Sequence, residues 1–243
     1  MTPRTAMLLA AGLGTRMRPL TDQTAKPLLP LGGRTLLDHA LDRLAAAGVA
    51  TIVVNAHWHA ERVAAHLAKH WPGPPRVVLQ HESDLLETGG AVRAALPTLG
   101  PAPCFVVNGD TFWLDGPTAP ALARLAAAWD DRLDAVLLLQ ATFQVAGAVG
   151  PGDFFLDPIG RLRRRQFGEV APFVYAGVQV LHPRLFDGTV AEKFSTNRLW
   201  DRAIAAGRMR GIVHDGLWFH LSTPPDLAEA ETVLQAGTVS ETR

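Results

Sequence analysis

An α/β fold built on a mainly parallel sheet, with helices over both faces, is what this sequence predicts. Three observations carry the expectation. Up to about residue 145, short apolar runs alternate with segments of ten to fifteen residues whose apolar positions recur at helical spacing. The short runs are apolar almost throughout, as strands buried on both faces must be. The first run ends in a glycine-rich turn, which such a sheet places at its carboxyl edge, where ligands bind.

The elements follow in order. "AMLLA" (6–10) reads as a buried strand. In "TLLDHALDRLAAAGV", Leu37, Leu41 and Leu44 recur at helical spacing and Gly48 stops the helix. "TIVVNA" is a strand, "HAERVAAHLAKHW" a helix closed by "PGPP", and "RVVLQ" a strand. "TGGAVRAALPTL" is a helix starting near Thr88, "CFVVNGD" a strand, "TAPALARLAAAW" a helix and "DAVLLLQ" a strand. Beyond residue 145 the character changes. "FFLDPIGRLRRRQF" predicts a hairpin turning at Asp157-Pro158 to Gly160. "FVYAGVQVLHP" is a long strand, "NRLWDRAIAAG" a helix, "MRGIVH" and "LWFHL" short strands, and "PPDLAEAETVLQAG" a last helix. With no repeat and no low-complexity linker, the expectation is one domain over 1–243. It carries a lid-like insertion at about 142–175 and a frayed tail over 237–243.

Composition excludes several classes. Formal net charge is +0 and the charges are interspersed, apart from the run Arg161 to Arg165, so a nucleic-acid-coating protein is not indicated. That run reads as a solvated hairpin. The one cysteine, Cys104, cannot form an intrachain disulfide and reads as a buried strand thiol. The apolar run near the N-terminus is far shorter than the roughly twenty residues of a membrane span, and no other segment reaches that length. A cytoplasmic protein with small-molecule substrates, no nucleic acid and no membrane partner is expected.

The segment "LLAAGLGTRMRPLTDQTAKPLLP" holds the chemistry. Two generic phosphate loops fail on it. A dinucleotide fingerprint needs glycine where Met17 stands, and the Gly-Lys-Ser/Thr of a P-loop is missing. Gly12 and Gly14 nevertheless let backbone N–H groups approach anionic oxygens, and Arg16, Arg18 and Lys26 supply charge. Lys26 is one of only three lysines, with Lys69 and Lys193. A surface turn with incidental arginines accounts poorly for such a concentration of glycines and cations.

"LAAGLGTRMRPLT" followed by "KPLLP" resembles, without gaps, the signature of the sugar-1-phosphate nucleotidylyltransferases. The resemblance continues through "LETGGAVRAAL" and "FVVNGD" and covers nearly the whole chain. It implies a Rossmann-like three-layer α/β/α sandwich, mainly parallel, with a small sugar-binding lobe: the nucleotide-diphospho-sugar transferase fold. It also implies a reaction in which an NTP and a sugar 1-phosphate give an NDP-sugar and pyrophosphate. The nucleophile is already an anion at neutral pH, so no strong general base is needed. Positioning and charge stabilisation do the work.

Carried over by resemblance, Arg16, Lys26 and Asp110 are the catalytic residues. Arg16 holds the β and γ phosphates, Lys26 bridges the α phosphate and the incoming sugar phosphate, and Asp110 binds Mg²⁺. Ala11, Gly12, Gly14, Thr15, Gln80, Gly89, Gly90 and Asn108 are implied on the nucleotide side, where a tight helix start competes as the reason for Gly89-Gly90. Gly152, Asp153, Tyr175 and Gly177 are implied on the sugar side. The family usually has a second metal aspartate in W-x-D-x-G-T-P; the matching stretch "LWFHLSTPPDL" puts His220 there, and Ser222 replaces the glycine. Imidazole suits Mg²⁺ less well than carboxylate. His220 is therefore a doubtful second ligand, and Asp110 with water and phosphates is the favoured arrangement. Within the family, "LETGGAVRAALP", "GDFFLD", "YAGVQVLHPRLF" and "LAEAETVL" look most like the branch that joins UTP to N-acetylmuramate 1-phosphate in peptidoglycan recycling. Glucose-1-phosphate thymidylyltransferases and mannose-1-phosphate guanylyltransferases are the alternatives. A catalytically inactive nucleotide-sugar sensor is the alternative of another class, with His220 and Ser222 as its support.

Overall fold

The computed structural model describes residues 1–145 and 149–240, and for 237–240 the backbone alone. Its centre is a sheet whose main path carries β1 (Thr5–Leu9), β4 (Thr51–Ala56), β5 (Arg76–His81) and β6 (Cys104–Asn108). It also takes in β8 (Ala135–Ala141), β11 (Phe173–Leu181) and β12 (Met209–Val213). β5, β4, β1 and β6 pair in parallel, as do β8 and β12. β11 lies antiparallel between β6 and β8 and joins these two parallel groups. The fold is the mixed, mainly parallel sheet with covering helices that the sequence predicts.

Each face of the sheet carries its own apolar layer, because alternate side chains of a strand point to opposite faces. Leu8, Ile52, Val54, Phe105, Val107 and Val178 join α1 (Leu36–Ala46), α2 (Ala60–His70) and α4 (Ala121–Ala127) through Leu41, Leu44, Val63, Leu67 and Leu125. Met7, Val53, Val106 and Leu137 join α3 (Glu87–Leu99) and α5 (Asn197–Ala205) through Val92, Ala95, Leu199 and Ala203. Cys104 sits inside this second layer, and burial pushes its thiol up to about 12, as a strand thiol in the core requires.

The predicted hairpin forms with its turn at Asp157 to Gly160, and several details go beyond the pattern read in the sequence. The hairpin of β9 (Phe154–Leu156) and β10 (Leu162–Arg164) attaches to the central sheet through Phe154 and Phe173. Two short ribbons lie off the sheet: β2 (Pro30–Leu31) with β3 (Arg34–Thr35), and β7 (Phe112–Leu114) with β13 (Leu217–Phe219). They enclose a third apolar cluster of Met17, Leu31, Leu36, Phe112 and Leu221, on which α6 (Pro224–Ser240) packs through Ala230. α6 runs to Ser240, past the start of the predicted frayed tail at 237; residues 241–243 lie outside the described residues. So do residues 146–148 of the predicted insertion.

Candidate active site

The carboxyl ends of β1, β4, β5 and β6 lie side by side in a register that sets Leu9 beside Asn55 and Asn108, and Asn55 beside Gln80. β1 runs on through Ala10, Ala11 and Gly12 into a 3-10 turn at Thr15–Met17. Gly14 opens that turn with φ 62°, in the left-handed region glycine tolerates. Its carbonyl accepts from Met17 N at 2.9 Å and from Thr21 Oγ1 at 2.8 Å, and a Cβ there would stand 2.9 Å from Thr21 Cγ2. The turn is thereby closed on itself, with Arg16 on its exposed side.

Lys26 opens a second 3-10 turn, Lys26–Leu28. Its side chain is only 9 % exposed, and Nζ lies 2.7 Å from Asp110 Oδ2. Asp110 follows β6 through Gly109, whose N–H donates to Leu9 O at 2.7 Å. A Cβ on Gly109 would stand 2.8 Å from the same oxygen. The missing side chain lets the two strand-end loops touch and brings the carboxylate to the lysine.

Two cavities meet at this ion pair. One, of about 220 Å³, is lined by Ala10, Ala11, Gly12, Asn55, Glu82, Leu85, Glu87 and Thr88. The other, of about 320 Å³, is lined by Arg16, Asp153, Tyr175, Gly177, His220 and Ser222 among others. Lys26, Asn108 and Asp110 line both. In the second cavity, burial lowers the His220 pKa, Asp226 and Asp110 pull it back, and the positive charges of Arg16 and Lys26 lower it further. The net shift is downward, so His220 is a neutral imidazole at pH 7. Burial pushes the Tyr175 phenol well above its usual range, so it too stays neutral.

The structure therefore brings Ala11, Gly12, Lys26, Asn108 and Asp110 together at the first cavity, and Arg16, Asp153, Tyr175, Gly177 and His220 at the second. Gly14 and Thr15 shape the turn and stand outside both walls. Gln80 is directed into the fold, where Nε2 donates to Ala91 O at 3.1 Å. Gly89 and Gly90 both donate their N–H groups to Phe194 O, at 2.9 and 3.1 Å, and a Cβ on Gly90 would stand 2.0 Å from Glu192 O. The glycine pair thus admits the 192–194 segment against α3, and its N–H groups are spent there. Gly152 packs against Ala171 O, which would lie 2.1 Å from an added Cβ, while its neighbour Asp153 faces the cavity and accepts from Tyr175 N at 2.9 Å. The arginine run is occupied with its own hairpin, the adjoining loops and α5. Arg163 pairs with Glu169, Arg164 with Asp201, and Arg165 donates to Gly152 O.

Asn55, Glu82, Glu87 and Thr88 were not among the residues singled out in the sequence. For Asn55 and Glu82 the available signal was positional, polar residues at or just past the carboxyl ends of apolar strands in a parallel sheet already inferred; Glu87 and Thr88 open α3. Among the described residues no group of three or more His, Cys, Asp or Glu could hold an ion unaided. Asp226 caps α6, accepting from Ser222 N and Thr223 N, and Asp215 pairs with Arg124. At the junction of the two cavities stands the half-exposed carboxylate of Asp110, paired with Lys26 and sharing the second cavity with Arg16. That set fits a hard, oxygen-seeking divalent ion held jointly with phosphate oxygens and water.

A family profile described as a MobA-like NTP transferase domain matches residues 6–199. The chain belongs to this family. Its relatives include an N-acetylmuramate alpha-1-phosphate uridylyltransferase of Caulobacter vibrioides, 44% identical over 96% of this chain and 97% of the relative. A protein of the same name from Neisseria meningitidis serogroup B is 35% identical over 95% of this chain and 98% of its own. Among solved structures, a UDP-glucose pyrophosphorylase complexed with UDP-glucose superposes with a TM-score of 0.78 at 14% identity, covering 98% of this chain and all of its own length (100%). An inositol-1-phosphate CTP transferase from T. maritima gives a TM-score of 0.76 at 16% identity, covering 96% of each chain. The motif resemblance and the strand–helix pattern led to this same family and fold. Such nucleotidyltransferases generally use a divalent metal ion.

Proposed function

We propose that this chain joins UTP to N-acetylmuramate 1-phosphate, giving UDP-N-acetylmuramate and pyrophosphate. The observation that carries the reading is the Lys26–Asp110 pair at the junction of two cavities, one lined mostly by uncharged residues, the other carrying Arg16, Asp153 and His220. Two substrates on either side of a charged junction is the arrangement an in-line transfer needs. The choice of base and sugar rests on the names of the two relatives that match this chain over nearly its whole length.

In this reading the nucleoside occupies the cavity between Ala10–Gly12 and Leu85–Thr88, with Asn108 shared between it and the second cavity. The sugar lies toward Asp153, Tyr175 and Gly177. An anionic oxygen of the sugar phosphate attacks the α phosphorus. The bond from that phosphorus to the bridging oxygen breaks, and pyrophosphate leaves with the electron pair. Lys26 sits where both phosphates converge and spreads one positive charge over several oxygens, which suits an ammonium on a flexible stem. Arg16 faces the departing pyrophosphate. Neutral His220 offers a hydrogen bond to the sugar phosphate without repelling the neighbouring cations. Asp110 and the phosphate oxygens would hold Mg²⁺, which when bound neutralises charge developing on the phosphates.

Pyrophosphate release with Mg²⁺ tests this. ATP, CTP, GTP, UTP and dTTP are each paired with the 1-phosphates of N-acetylmuramate, N-acetylglucosamine, glucose and mannose. Release should be fastest with UTP and N-acetylmuramate 1-phosphate. Faster release with another pair corrects the substrates and keeps the chemistry. No release from any pair, with Mg²⁺, Mn²⁺ or Co²⁺, overturns the reading in favour of a binding protein.

A further inference from the structure

In the wall of the nucleotide-side cavity runs a chain of buried hydrogen bonds that uses none of the phosphate-binding side chains. Ala10 N donates to Asn55 Oδ1 at 2.7 Å, Asn55 Nδ2 donates to Glu82 Oε1 at 2.7 Å, and Leu86 N donates to Glu82 Oε2 at 3.1 Å. Asn55 and Glu82 are each 3% exposed. The Ala10 N–H fixes the orientation of the Asn55 amide, because only its oxygen can accept. The amide N–H₂ is then committed to Glu82, and both carboxylate oxygens of Glu82 face donors.

The two ends of this chain are the two walls of the cavity. Ala10 begins the Ala10–Gly12 wall. Leu86 lies inside the Leu85–Thr88 wall and precedes Glu87, which is held at φ 59°, a backbone conformation that non-glycine residues adopt only under constraint. The Glu82–Leu86 bond is one of the restraints on that turn. A carboxylate this deeply buried carries a desolvation penalty that an apolar residue of similar size would avoid, so packing alone does not account for it.

We propose that Glu82, acting through Asn55, is a positioning residue for the nucleotide. It sets the spacing between the Ala10–Gly12 loop and the Leu85–Thr88 turn, and with it the width of the slot that receives base and ribose. The inference rests on the reading of this cavity as the nucleotide site.

A polarity swap tests it. In Glu82→Gln the new amide cannot accept from both Asn55 and Leu86, so one bond is lost. In Asn55→Asp two carboxylates face each other with no donor between them. The double variant E82Q/N55D reverses the central bond: the introduced amide donates to the introduced carboxylate and accepts from Leu86 N, while the carboxylate's other oxygen accepts from Ala10 N. Net charge is unchanged. Each single variant should raise the KM for UTP about tenfold or more, with kcat and the KM for the sugar phosphate within about threefold of wild type. The double variant should return the UTP KM to within about threefold. Single variants that melt lower yet keep the wild-type UTP KM would make the network purely structural and overturn the proposal. A double variant as impaired toward UTP as the singles overturns it too, since Glu82 would then act on the nucleotide directly or not at all. If one single variant does not fold, the UTP KM of the other decides. Wild-type protein that neither binds UTP in a calorimeter nor releases pyrophosphate refutes the function reading instead, before any variant is compared.

Discussion

Lys26 and Asp110 form a pair whose members face water unequally, at 9 % and 45 % side-chain exposure, and the two truncations should therefore differ. Lys26→Ala leaves a carboxylate that water can reach, so stability should change little. Turnover should fall about 100- to 1000-fold, the usual loss when a preorganised charge at a reacting phosphate or oxyanion is removed. Asp110→Ala instead strands a buried ammonium. Discounted for the water on the aspartate's side, it should cost about 1–3 kcal/mol of stability as well as turnover. Asp110→Asn keeps an acceptor for Lys26 and separates the two effects. Pyrophosphate release and denaturant unfolding on the same three variants check this; equal destabilisation by Lys26→Ala and Asp110→Ala would contradict the asymmetry. At this scale the sequence was most informative about charge. Arg16, Lys26 and Asp110 stand out by residue type and position. The backbone occupation of Gly89 and Gly90 does not, because nothing in "ETGG" announces that Phe194, a hundred residues away, will take their N–H groups.

Helix starts carry two expectations. At α1, Thr35 and Asp38 form a capping box, and Asp38 also accepts from His66 at 2.8 Å and Trp71 at 3.0 Å, tying α1 to α2. Burial raises the Asp38 pKa, but the hydrogen bonds from His66, Trp71 and Thr35 outweigh it and hold the carboxyl at about 2. A depressed carboxylate stabilises the fold fully above its unfolded pKa and loses that contribution as pH falls through the folded value. Asp38→Asn should therefore cost about 1–2 kcal/mol near neutral pH, and the gap from wild type should close between about pH 4 and pH 2 in urea unfolding. At α3, Gly90→Ala places a methyl 2.0 Å from the Glu192 carbonyl, a backbone atom that cannot rotate away. Destabilisation of about 1–3 kcal/mol is expected by equilibrium unfolding, together with weaker nucleotide binding, because the displaced segment donates from Phe194 N to Leu86 O in the cavity wall. Strands β1, β4, β6 and β8 were legible because strands buried on both faces read as unbroken apolar runs, and the half-buried end strand β5 was legible from Val77, Val78 and Leu79. The pairing of β7 with β13 was not. Three-residue strands carry no period, and their partner lies about a hundred residues away.

At the scale of the whole molecule, the parallel sheet delivers Ala10, Asn55 and Asn108 to one edge, and antiparallel β11 carries Tyr175 and Gly177 to the neighbouring cavity. That geometry was only half visible in advance. A parallel sheet implies a carboxyl-edge site, whereas the insertion of β11 between β6 and β8 depends on contacts between distant segments. It leads to a thermodynamic expectation about ligands. In the proposed reading UTP alone takes the first cavity and reaches Arg16 of the second with its β and γ phosphates, and N-acetylmuramate 1-phosphate alone takes the second. UDP-N-acetylmuramate spans both, so it makes the sugar-side contacts that UTP lacks and the base and ribose contacts that the sugar phosphate lacks. A ligand bound only to the folded state stabilises it by about 2.7 kcal/mol at a hundredfold excess over its Kd, and each kcal/mol raises the Tm of a chain of this size by about 2–4 °C. At equal concentration, each with Mg²⁺, the product should therefore shift the melting temperature by about 5–10 °C, and by more than either substrate alone. Lys26→Ala, which removes the charge at the junction, should reduce the product's shift the most, because the product's phosphates lie at that junction. Differential scanning calorimetry with the three ligands decides it. A product shift no larger than that of UTP would mean that the two cavities do not act as one site.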